Sequence, residues 1–153
     1  MIVEGHGISV DLPHGWEGRI FRRHRGDPTL HAGTFSLPFD DGEFGSRATA
    51  RMPAGATFLT LTEYRPGNGL VPGRGLFAEP GIPLPIHRAR FRASHLLVAR
   101  AGQRGLQRFF TVSGRPFCLY AVIHEPQIGA ARADLGGANA VLGSVSIERR
   151  KTG

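Results

Sequence analysis

The chain has 153 residues, 41% of them apolar and 20% charged, with a formal net charge of +7. That length suits one α+β domain over residues 1–153, able to fold without disulfides or a structural metal. Its single cysteine, Cys118, excludes a disulfide framework and any cysteine-built zinc cluster.

In chain order, Ile8, Val10 and Leu12 alternate with Ser9 and Asp11, which predicts a half-buried strand ended by Pro13-His14-Gly15. Trp16 to Arg23 reads as a second strand with Trp16 as a core anchor, and Leu30 to Leu37 as a third, stopped by Pro38. The polar stretch from Phe39 to Ala56 reads as a loop with one short helical turn. Ala56 to Tyr64 is a clear strand. Phe58, Thr60, Thr62 and Tyr64 share one face, Leu59, Leu61 and Glu63 the other, so cover on both sides is expected.

Residues 65–85 carry five prolines and form a long Pro/Gly-rich loop, whose Leu70, Val71, Leu76, Phe77 and Ile82 are expected to pack down on the body. Ile86 to Ala93 alternates, with Arg88, Arg90 and Arg92 on one face and His87, Ala89, Phe91 and Ala93 on the other. This predicts an outer strand with a wet cationic face. His95 to Ala101 reads as a further strand. Leu106 to Glu125 predicts a central hairpin turning at Ser113-Gly114-Arg115-Pro116.

Ala130 to Gly143 is the main helix, with Asp134 as a start cap and Gly143 as an end cap. Val145 to Ile147 is a last strand before a basic tail over 149–153. The sum is an antiparallel β-sheet of six to eight strands with a C-terminal helix packed on one face.

Two segments carry a family likeness. ISVDLPHGWEGRIFRR resembles the opening of PsbP-like domains, and GRPFCLYAVIHE followed by ANAVLGSVSIE resembles their end. The chain also resembles small uncharacterised proteins of GC-rich actinobacteria. The PsbP resemblance implies an α/β/α-type sandwich around an antiparallel sheet and a non-catalytic protein-binding or assembly role. The chain departs from exported members in showing neither a leader nor a lipid-attachment cysteine. With no apolar run near the ~20 residues that span a bilayer, a cytoplasmic protein without membrane insertion is expected.

No chemical motif rises above background. The seven histidines, His6, His14, His24, His31, His87, His95 and His124, show neither HxxxH nor HExxH spacing, so no metal ligands are assigned. Cys118 and His124 lie on one proposed strand roughly 20 Å apart, too far for a nucleophile and its base. Asp40-Asp41-Gly42-Glu43 reads as a solvated acidic turn, and the Gly67-Asn68-Gly69 and Gly73-Arg74-Gly75 segments lack the spacing of a phosphate loop. No catalytic residue and no cofactor is assigned.

What remains is charge. Lys151 is the only lysine, and the arginine-rich composition fits either a GC-biased solvated surface or an anion-binding face. Arg22, Arg23, Arg88, Arg90, Arg92, Arg149 and Arg150 are the candidate partner or anion contacts. The leading reading is a protein-binding or assembly module docking through the Arg-bearing strand and the long loop, with self-association open to it. Electrostatic nucleic-acid binding through Arg-rich strands is the alternative. A small enzyme using a histidine cluster or Cys118 ranks third.

Overall fold

The computed structural model describes residues 1–127, 129 and 131–150. These form eight strands, β1 (Ile2–Gly5), β2 (Ile8–Asp11), β3 (Glu17–Phe21), β4 (Thr29–Gly33), β5 (Thr57–Glu63), β6 (Gln103–Val112), β7 (Arg115–His124) and β8 (Ser146–Ile147). The α-helices are α1 (Ser46–Ala50) and α2 (Leu135–Gly143). The architecture is α+β and its strand pairs are antiparallel, but they make two sheets where one was expected. Five strands run in the order β3-β4-β5-β7-β6, and three in the order β1-β2-β8.

The hairpin of β6 and β7 dominates the larger sheet. Its turn is shorter than the sequence suggests. Ser113 (φ 54°) and Gly114 (φ 73°) alone make it, and Val112 and Arg115 already pair across the strands. Two positive-φ residues in a two-residue loop match the twist of the flanking strands, so Arg115 and Pro116 belong to β7. β5 lies between β4 and β7 and is buried along its whole length. Leu59 and Leu61 enter the larger apolar cluster with Leu30, Phe110 and Leu119. Phe58 enters a smaller one with Ala48, Met52, Cys118 and Tyr120.

Ile8, Val10, Leu12 and Ile147 of the small sheet and its flank also join the larger cluster, as do Trp16 and Leu135, Ala138, Val141 and Leu142 of α2. The Asp134 carboxylate accepts the Gly137 N–H at 2.9 Å and starts α2 as expected. Gly143 ends the helix without a left-handed cap, because Ser144 follows at φ −87°. Ala130, the first residue of the expected helix, lies outside the described residues, as do 151–153 of the basic tail.

Two expected strands do not form. Ile86 to Ala93 is a loop with a 3-10 turn at Arg88–Arg90, and the segment after it holds another at Ala93–His95. The physical reason lies in spacing. Ile86 and Phe91 are both buried in the larger cluster, and an odd separation cannot put two residues on one face of a strand. Only Arg92 bridges to the edge of β6, at Gly105.

Of the long loop, Phe77 packs into the body against Tyr64 and Phe109. Val71 and Leu76 stay exposed, contrary to expectation. Thr111 of β6 pins the loop. Its Oγ1 donates to the Phe77 carbonyl at 2.7 Å and accepts the Gly73 N–H at 2.9 Å, while its backbone pairs with Glu79 and Gly81.

Candidate functional site

The alternation of β5 places Glu63 on the same face as Leu59 and Leu61, and Glu63 is 1% exposed. A carboxylate in that position needs compensating charge, since an unpaired buried ion is strongly destabilising. Arg115, 3% exposed at the start of β7, supplies it. Its Nη2 donates to Oε1 at 2.8 Å and its Nε to Oε2 at 3.1 Å. Arg150 adds Nη2 and Nε bonds to Oε2 at 2.6 and 3.0 Å from a half-exposed side chain.

Arg115 also ties the sheets together. Its guanidinium donates to the carbonyls of His6, in the β1–β2 turn, and Glu148, after β8. The turn admits it because residue 7 is glycine. Gly7 has φ +77°, and a Cβ there would sit 2.7 Å from Arg115 Nη1.

Above this foundation opens a cleft of about 420 Å³ lined by Arg22, Arg65, Arg115, Arg149, Arg150 and His6. Asp27 and Glu148 are the acidic residues on its wall. Arg22 donates through Nε to the Gly26 carbonyl, and Arg65 meets Asp27 only at 3.6 Å from an exposed position. Arg149 makes no ion pair among the described residues. Several arginines therefore line the cleft over a base in which the buried Glu63 carboxylate is already paired, with two guanidinium groups on one carboxylate. Arginine forks in that state bind carboxylate or phosphate oxygens through charge-assisted hydrogen bonds.

The structure thus brings together three of the seven sequence candidates, Arg22, Arg149 and Arg150, and adds Arg65 and Arg115. The others lie elsewhere. Arg23 pairs with Glu43 at 3.4 Å on the surface. Arg88 is half-buried and already paired, contacting both oxygens of Glu125 and the Ala133 carbonyl. Arg90 is exposed beside the Pro80–Pro85 segment, and Arg92 is held through its backbone. Arg88, Arg90 and Arg92 therefore do not share the cationic strand face that their alternation predicts, because the segment is a loop with a 3-10 turn.

Glu125 forms a second clamp, with Arg88 and Arg104 on its carboxylate and the Ala133 N–H donating at 2.9 Å. Burial pushes its pKa up. The hydrogen bonds from Arg88 and Ala133 and the charges of Arg88 and Arg104 outweigh that and hold the carboxyl below its ordinary value. Glu63 closes one end of the β5–β7 pair and Glu125 follows β7 at the other.

Three other reactive groups are packed into the fold. Cys118 is buried in the smaller cluster, and burial pushes its thiol up to about 12. His31 is wedged edge-on between Phe21 and Phe58 with Nε2 2.7 Å from the Glu43 carbonyl, and burial lowers its pKa despite that bond. Asp41 is not solvated. It is buried and accepts the N–H groups of Gly42, Arg47 and Ala48, which starts α1. Among the described residues no group of three or more His, Cys, Asp or Glu is placed to hold a metal ion, and no helix is long and apolar enough to cross a membrane.

No protein-family model, curated protein or solved structure matches the chain.

The sequence held one signal for the site that spacing arguments missed. Glu63 ends a strand expected to be covered on both faces, and a charge there demands a buried cation. Nothing local names Arg115, which reads as a turn residue.

Proposed function

We propose that the protein is a non-catalytic binding module that captures an acidic segment of a partner protein in the arginine-lined cleft. One observation carries this reading: Arg22, Arg65 and Arg149 line a common cleft whose base, the Glu63–Arg115–Arg150 cluster, already pairs its one buried carboxylate and keeps a net positive charge. Such a cleft binds anions without first breaking a buried ion pair, so little of the binding energy is spent on rearrangement. The exposed loop residues Val71 and Leu76, presented on a loop pinned by Thr111, offer apolar contacts for the same kind of partner.

A cytoplasmic setting belongs to the proposal, as do kinship with PsbP-like domains and the packing of α2 on one face of the larger sheet. The shared cluster of Ala138 and Val141 with Leu59 and Leu61 supports that packing.

The test is fluorescence anisotropy with a labelled Glu/Asp-rich peptide at low salt. Binding that weakens in the folded double variant Arg22→Ala/Arg149→Ala supports the reading. A peptide that fails to bind the wild-type protein, or that binds both proteins equally, overturns it.

The second reading, single-stranded nucleic acid, is favoured by a different surface. Arg19 lies over the rings of both Phe21 and Phe39, 5.3 and 5.4 Å from their centroids, and Phe39 is exposed. Bases stack on such aromatic and cationic surfaces. Retention of an oligonucleotide that collapses in Phe39→Ala and falls steeply with salt would replace the first reading by this one.

A further inference from the structure

We infer that the cleft recognises a phosphate monoester, and that the acidic group it captures on a partner protein is a phosphorylated side chain. The inference rests on the reading of the cleft as an anion-binding site and adds the class of anion.

The argument begins with donor supply. Each guanidinium carries five N–H groups on a planar fork. Arg115 makes four hydrogen bonds, to Glu63, His6 and Glu148, and Arg150 spends Nε and Nη2 on Glu63. Among the described residues Arg22 spends only Nε and Arg149 has no carboxylate partner. Among the described residues Arg65 has only its long contact to Asp27.

These three heads come from separate places in the fold: past the end of β3, past the end of β5, and after β8. They therefore reach one cleft from three different strand ends. A side-chain carboxylate has two oxygens and one charge, and a single fork satisfies it. A phosphate monoester offers three oxygens and a charge of about −1.5 to −2 at neutral pH, which matches several forks at once.

The acidic residues on the wall point the same way. Asp27 and Glu148 line the cleft beside the cations, so carboxylates interrupt the run of positive charge. A nucleic-acid backbone of successive diesters needs a continuous cationic track, and these carboxylates break it. A terminal phosphate on a side chain need only enter.

The experiment uses the full chain and four probes. The first two are a labelled peptide bearing one phosphoserine among neutral residues and the same peptide with Glu at that position. Inorganic phosphate serves as a competitor, and the last is an oligonucleotide without terminal phosphate. The phosphopeptide is expected to bind at least about tenfold tighter than the Glu peptide, and inorganic phosphate is expected to displace it. The affinity should be lost in Arg22→Ala/Arg149→Ala at an unchanged unfolding midpoint, and partly restored in Arg22→Lys/Arg149→Lys, which returns charge without the fork. Inorganic phosphate binding as tightly as the phosphopeptide would support the same chemistry with free phosphate as its source. Equal binding of the two peptides overturns the phosphate inference and leaves the acidic-segment reading standing. Oligonucleotide binding with no response to either peptide overturns both.

Discussion

Arg115 meets both oxygens of Glu63 across the β5–β7 pair, at 2.8 and 3.1 Å, with both side chains almost wholly removed from water. The pair joins the last residue of one central strand to the first of the next, and through Arg115 it reaches the turn of the small sheet. It holds the two sheets in register beneath the cleft.

Breaking this pair from one side should be costly. Glu63→Gln leaves the Arg115 charge buried against a neutral amide and should destabilise by about 3–5 kcal/mol. Arg150→Ala removes a half-exposed partner and should cost no more than about 1 kcal/mol. Urea midpoints of the two variants check the order. Equal losses would show that Arg150, not Arg115, carries the buried charge.

Acid should weaken the fold in two windows. His31 has a native pKa below its ordinary 6.5, so the unfolded chain takes up the proton first. Its contribution is complete above pH 6.5 and declines as pH falls from there through the native value. Glu125, also lowered, contributes fully above its ordinary 4.5 and loses that contribution as pH falls through its native value. Thermal midpoints against pH should therefore drop first below 6.5 and again below 4.5. His31→Gln should flatten the first drop only.

Cys118 should be chemically silent in the folded protein. Burial and a thiol raised to about 12 leave almost no accessible thiolate at pH 8. A disulfide exchange reagent at that pH should label the protein only after urea is added. Fast labelling of the native chain would show that the smaller cluster opens.

The long loop should be freed by one hydroxyl. Thr111→Val removes the bonds to Phe77 and Gly73 and should cost about 1 kcal/mol globally. Amide exchange over 73–81 should rise far more than in β5 or β7. Phe77→Ala, which empties a site between Tyr64 and Phe109, should cost about 3–5 kcal/mol and raise exchange over the same residues.

By itself the sequence determined the parts whose information is local. Aromatic and β-branched residues around Ser113-Gly114 specify a hairpin, the alternation of Phe58 to Glu63 specifies a strand buried on both faces, and Asp134 marks the start of α2. In each, a short-range rule and the tertiary context agree. Tertiary structure alone decided the fate of the arginines and the division into two sheets. The Arg88–Arg92 alternation has the period of a strand, yet Glu125 claims Arg88 and the core claims both Ile86 and Phe91, which no strand allows. The cleft gathers Arg22, Arg65, Arg115, Arg149 and Arg150 from four separated stretches of chain. Their common purpose is illegible in sequence because long-range charge pairing follows from which chain ends the sheet brings together, and residue spacing does not encode that.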